Sequence, residues 1–218
     1  MFMYQYVLFD LDGTLIDSEQ GITESVAYAL SQYGIPVHDR KELLPFIGPP
    51  LLQSFSMFYG FDAEKSAEAV AYYREYFGEF GVYQNRVYDG IEELLRKLKA
   101  AGKTLLLATS KYEYYAIKIL EHLNFMQYFT FVAGSLKDGG RASKAEVIDY
   151  VLKQQKISDF SKAVMIGDRK HDIDGAKTVG IDSIGVLYGF GDREELSSHG
   201  ATYIAENTEK IYQILINK

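Results

Sequence analysis

The chain has 218 residues, no cysteine, and 30 acidic against 23 basic side chains, a formal net charge of -7 at neutral pH. The missing cysteine excludes disulfides, thiolate metal sites and cysteine nucleophiles, and the acidic balance argues against the basic face with which a nucleic-acid binder displaces counterions. An apolar fraction of 47% predicts a soluble globule with a substantial interior, and no run approaches the roughly 18 apolar residues that span a bilayer, so neither nucleic acid nor membrane is an expected partner and a cytoplasmic location is expected.

The opening MFMYQYVLFDLD carries no basic n-region and its apolar run stops at Asp10, so it reads as a buried strand and not as a secretory signal. Asp10 then falls at the carboxyl end of that strand, where open α/β sheets bind ligands. Alternation points Asp10 and Asp12 to a similar side, while Gly13 and Thr14 form the turn. Two such carboxylates are costly together in a partly dry cleft unless one is protonated or a cation intervenes. Taken alone, DLDGT fits a turn of solvated aspartates equally well.

From Asp17 to about Asn85 the strand pattern vanishes. GITESVAYALSQYG places Ile22, Val26, Leu30 and Tyr33 on one helical stripe and stops at Gly34 and Pro36. DRKELLPFIG is a short helix candidate with Asp39 at the N-cap and Glu42 following in capping-box register. PPLLQSFSMFYG and DAEKSAEAVAYYREYFGEFG, the second opened by Asp62, complete an all-helical block. Beyond it, KTLLLATS, YFTFVAG, AVMIGD, IDSIGVL and ATYIAE alternate with helical segments such as YYAIKILEHL and KAEVIDYVLKQQ. With the opening run these make six candidate strands. The alternation predicts an α/β fold, a Rossmann-like parallel sheet flanked by helices over residues 1–16 and 86–218, with a small all-helical cap inserted at residues 17–85. Chain crossings between the parts are expected near residues 17–19 and 83–86.

Polar groups recur at the strand ends and helix starts of this sheet. Asp168 closes the AVMIGD run, and Asp172 follows one helical turn later. LLLATSK ends a strand with the hydroxyls of Thr109 and Ser110, and GGRASKAEVI sets Lys144 at a helix start, where backbone N–H groups and an ammonium together favour an anion. Each has a plain alternative: a strand end, a Ser143 N-cap, a solvated lysine, a loop cap. Their convergence on one sheet edge is what points to a site. Lys111 reads as either a phosphate-facing group or a solvated residue at a helix start, and Arg74 as either a cleft-facing cation or one lying across neighbouring tyrosines. His171 reads as an exposed loop residue, and His38, His122 and His199 as isolated ones.

In the order DLDGT, Thr109, Lys144, GDRKHD, the chain resembles the haloacid dehalogenase superfamily across the two core segments, and the helical block resembles the cap that some members insert. DSEQGITESVAYAL, FIGPPL and GVLYGFG are most similar to its phosphoglycolate phosphatase and 5'-nucleotidase-like branch. The resemblance implies a Mg²⁺-dependent phosphatase acting on a small phosphorylated metabolite, as a monomer or homodimer. Asp10 would be the nucleophile that forms an aspartyl-phosphate, and Asp12 the acid and base. Thr109 and Lys144 would hold the phosphoryl group. The metal would take the Asp10 carboxylate, the Asp12 carbonyl and Asp168, with Asp172 supporting the shell. Gly13, Thr14, Ser110 and Lys111 are candidate phosphate contacts, and Gly48 and Arg74 candidate substrate contacts from the cap. Phosphosugar mutases share the core but carry a cap histidine where this chain has Ile22, which favours water as acceptor. A silent phospho-ligand-binding regulator is the non-enzymatic alternative, against which the competent residues at every reactive position weigh.

Overall fold

The computed structural model describes residues 4–216. Strand β1 (Tyr6–Phe9) leads through a tight turn into β2 (Ile16–Asp17). Helices α1 (Glu19–Ser31), α2 (Leu51–Tyr59) and α3 (Ala63–Glu79) follow, then β3 (Arg86–Val87) and α4 (Ile91–Ala100). The remainder alternates: β4 (Thr104–Tyr112), α5 (Glu113–His122), β5 (Phe131–Ser135), α6 (Lys144–Gln154), β6 (Ala163–Gly167), α7 (Lys170–Val179), β7 (Asp182–Val186), α8 (Arg193–Ser198), β8 (Tyr203–Ala205) and α9 (Thr208–Ile216).

Six strands form one sheet in the order β5-β4-β1-β6-β7-β8, every pair parallel. Parallel strands need crossovers, and the helices that supply them cover the sheet, which explains why the strands are apolar on both faces. On one face Leu8, Leu106, Ala108, Ala133 and Met165 pack with Val147, Ile148 and Val151 of α6 and Ala176 of α7. Truncating a fully buried leucine such as Leu106 to alanine would cost about 2–5 kcal/mol. Because β1 lies between β4 and β6, the order reverses beside it. Such a reversal opens a crevice at the carboxyl ends of the strands, and β1, β4 and β6 all end there.

The chain divides into two compact units, one carrying residues up to Ile16 and from Val87 onward, the other Asp17–Arg86. The crossings are β2 and β3, which pair as a two-stranded sheet. They lie tighter than expected, since Glu19 already opens α1 and Tyr83 closes a short 3-10 turn. Within the inserted unit, Phe46, Phe55 and Phe61 form a ring cluster, with Phe46 edge-on to Phe55 at 5.0 Å and Phe55 stacked on Phe61 at 6.0 Å. The DRKELLPFIG segment is a 3-10 helix, Arg40–Phe46, not an α-helix. Pro45 lacks the N–H an α-helical bond there would use, and the Asp39 side chain accepts from Lys41 N at 2.9 Å instead of joining Glu42 in a box.

Candidate active site

Asp10 follows β1 directly, and its N–H still donates to Ile166 O at 2.9 Å, so the sheet fixes where its side chain starts. The chain then turns back, with Leu15 N donating to Leu11 O at 2.9 Å and Gly13 N to Ile16 O at 2.8 Å. Gly13 sits at φ 75°, a left-handed conformation costly for other residues, and a Cβ there would run into the Asp168 carboxylate. Asp168 follows the last residue of β6, fully buried, with its Oδ2 accepting from Phe190 N at 2.8 Å. Asp172 lies in the first turn of α7 and accepts from Arg169 N at 3.1 Å.

Carboxylate oxygens of Asp10, Asp168 and Asp172 come within 4.8 Å of one another, all buried. Lys144 reaches them from the start of α6. Ser143 caps that helix in a capping box with Glu146, which sets the first-turn geometry from which the lysine projects. Its Nζ lies 2.7 Å from Asp10 Oδ1, 2.8 Å from Asp172 Oδ1 and 3.1 Å from Ala108 O. Burial alone would lower the Lys144 pKa, but the Asp10 and Asp172 carboxylates outweigh it and raise it. Burial pushes the Asp10 carboxyl up; Lys144 pulls it back and Asp172 pushes it further, leaving it raised. Asp168 is raised well above the usual carboxylate range by burial and by repulsion from Asp172 and Asp10.

One buried ammonium therefore faces three buried carboxyl groups. Asp172 Oδ1 approaches Lys144 without hydrogen-bonding geometry and is otherwise unpartnered. A buried carboxylate oxygen with unspent capacity, in an all-oxygen set drawn from both β1 and β6–α7, is chemistry that fits a hard divalent cation.

Several of the remaining sequence candidates lie around this cluster, and three expectations change: where β4 ends, the loop placement of His171 and the isolation of His199. Thr109 is buried in β4 and its hydroxyl bonds to Asp10. β4 does not end at Thr109 and Ser110 but runs on to Tyr112 through a register irregularity, so Lys111 is neither solvated nor at a helix start. Its ammonium lies 3.1 and 3.0 Å from the two oxygens of Asp12, which places the Asp12 side chain in a separate ion pair. The half-buried Ser110 adjoins Thr109 on β4. Thr14 Oγ1 lies 3.5 Å from Asp168 Oδ1, and its carbonyl accepts from Tyr188 OH at 3.1 Å. His171 is half-buried in α7, not on a loop; burial, then Arg169 and Lys170, lower its pKa. His199 is not isolated either, since its Nδ1 pairs with Asp174 at 2.8 Å. Gly48 and Arg74 belong to the inserted unit.

Sequence reasoning missed the Phe190 amide, Tyr188 and Glu195. A backbone N–H has no signature in residue type, although the glycines of LYGFGD mark a chain that must approach something closely. Glu195 accepts from Arg169 Nε at 2.9 Å and Lys170 N at 2.8 Å, holding the loop between Asp168 and Asp172.

The sequence pattern of one family, described as haloacid dehalogenase-like hydrolase, matches residues 7–186. A 5'-nucleotidase of Pseudomonas aeruginosa is 46% identical over 212 residues, 97% of this chain and 96% of its own. A tyrosine-protein kinase of Mycobacterium tuberculosis is 39% identical over 201 residues, 92% of this chain and 68% of its own. Among solved structures, one described as a predicted phosphatase from Clostridium acetobutylicum superposes with a TM-score of 0.94 at 46% identity, covering 97% of each chain. No helix among the described residues is long and apolar enough to cross a membrane.

Proposed function

This chain belongs to the haloacid dehalogenase-like hydrolases and is a phosphatase of that family, and from that premise we propose that Asp10 attacks small phosphate monoesters and becomes transiently phosphorylated. A carboxylate oxygen of Asp10 forms its bond to phosphorus as the bond to the ester oxygen breaks. Asp12 gives the leaving oxygen a proton and then takes one from the water that hydrolyses the aspartyl-phosphate. Thr109 donates to a phosphoryl oxygen, and Lys144 balances charge on Asp10 and on the transferring group. Asp10, Asp168 and Asp172 would hold a divalent cation, with the Asp12 carbonyl as a further donor. The oxygen set suits Mg²⁺, which when bound neutralises the phosphoryl group and the carboxylates together.

The observation that carries this reading is the buried cluster of Asp10, Asp168 and Asp172 with Lys144 2.7 Å from Asp10. Nucleoside 5'-monophosphates are the first substrate class we infer, because the likeness to a 5'-nucleotidase runs nearly the full length of both chains. Phosphoglycolate and sugar phosphates are the other arms of the test. Phosphate release from such a panel, with and without Mg²⁺, is expected to select one class and to vanish on chelation. Transfer from ATP to protein tyrosine with no release of phosphate to water from any monoester would overturn the reading.

A further inference from the structure

Asp10 and Asp12 are two residues apart on the strand exit, and Thr109 and Lys111 are two apart on the neighbouring strand. β1 and β4 run parallel with Phe9 opposite Leu107, a register that by strict alternation would turn Thr109 and Lys111 away from Asp10 and Asp12, but β4 is irregular between Ala108 and Tyr112 and the alternation does not hold there. Within that irregular stretch Thr109 reaches Asp10 and Lys111 reaches Asp12. The ammonium sits astride the Asp12 carboxylate, 3.1 Å from Oδ1 and 3.0 Å from Oδ2, with only 7% and 13% of the two side chains exposed. A cation on one oxygen would leave the carboxylate free to rotate. One shared between both oxygens fixes its plane.

Lys111 is itself held from behind. Its N–H donates to Thr109 Oγ1 at 3.2 Å. Its carbonyl abuts Gly134 on β5 so closely that no side chain fits there, and Gly134 N donates to Glu113 Oε2 at 3.2 Å. Arg141 clamps the same oxygen at 2.9 Å while lying over the Tyr150 ring at 4.1 Å.

We propose that Lys111 is a positioning residue for proton transfer: through its two-point contact it aims the Asp12 carboxyl at the leaving-group oxygen, and it binds no phosphoryl oxygen itself. This rests on the assignment of Asp12 as acid above. Its consequence is a dependence on leaving group, because an ester whose alcohol departs as a stable anion needs no proton and should not need Lys111.

The test uses para-substituted phenyl phosphates, alike in shape and graded in leaving-group basicity, from p-nitrophenyl to p-methoxyphenyl phosphate. In Lys111→Met, kcat is expected to fall less than about tenfold on p-nitrophenyl phosphate and about 100-fold or more on the most basic leaving group, within the range attributed to general acids. KM should stay near wild type, and Lys111→Arg, whose fork also spans two oxygens, should restore most of the loss. Lys111→Gln repeats the measurement if the methionine variant does not fold. A uniform loss across the series, or a loss confined to KM, overturns the proposal and leaves the phosphatase reading standing. A wild-type protein that releases phosphate from none of these esters overturns that reading first.

Discussion

Removing the Lys144 ammonium would leave Asp10 and Asp172 buried side by side with no cation between them. Breaking one partner out of a buried ion pair costs about 3–5 kcal/mol, so Lys144→Met is expected to lower Tm by on the order of 10 °C in a chain of this length. Millimolar Mg²⁺ should recover part of that loss, which differential scanning fluorimetry reads directly. Asp10→Asn differs in kind. It removes one of the mutually repelling charges and leaves Lys144 paired with Asp172, so Tm is expected within a few degrees of wild type while phosphate release is abolished. Retained turnover would displace Asp10 as the proposed nucleophile. At this scale the sequence was partly legible: Asp10, Thr109, Lys144, Asp168 and Asp172 stand in recognisable motifs, and the fold gathers them. Lys111 was legible only as two alternatives, because whether a lysine after a strand is solvated depends on where that strand ends. Here β4 continues to Tyr112, which keeps Lys111 inside.

Two elements carry testable energetics of their own. The Ser143 and Glu146 capping box opens α6 one residue before its exit into the cluster. Ser143→Ala should cost about 1 kcal/mol of stability, read as a shift in urea midpoint. It should also reduce turnover, because the first turn of α6 aims Lys144. Tyr4, fully buried before β1, donates from its hydroxyl to Asp182 Oδ2 at the start of β7 at 2.5 Å. Burial, the Asp182 hydrogen bond and the Asp182 charge all raise its pKa. The folded state thus favours the protonated phenol, so this contribution is present below the ordinary tyrosine pKa of about 10 and is lost as pH climbs above it. Tm should therefore fall more steeply above about pH 10 in wild type than in Tyr4→Phe; parallel alkaline limbs would contradict the assignment. The six strands of the main sheet were readable from short apolar runs, whereas the two-residue strands β2 and β3 at the crossings were not. The segment at Arg40–Phe46 was not, because capping letters and apolar spacing suit an α-helix there while the single Pro45 tightens the turn.

For the whole molecule, metal and stability are linked. A cation that binds only the folded protein adds about 2.7 kcal/mol when its free concentration is a hundred times its Kd. Wild-type protein is expected to gain thermal stability with rising Mg²⁺ and lose it with a chelator, whereas Asp168→Asn should show little of either change. An unchanged melting curve in wild type would count against the carboxylate cluster as a metal site. By itself the sequence determined the class of the fold, because apolar runs of strand length alternating with amphipathic helices leave a covered parallel sheet as the stable arrangement. It also determined the residue types of the site, since these stand at strand ends and helix starts that local patterning reveals. Only the tertiary structure decided which carboxylate faces which cation. Lys144 serves Asp10 and Asp172, and Lys111 serves Asp12, because strand order and the extra, irregular length of β4 bring together side chains from separate segments of the chain, and no local pattern encodes a distance between segments.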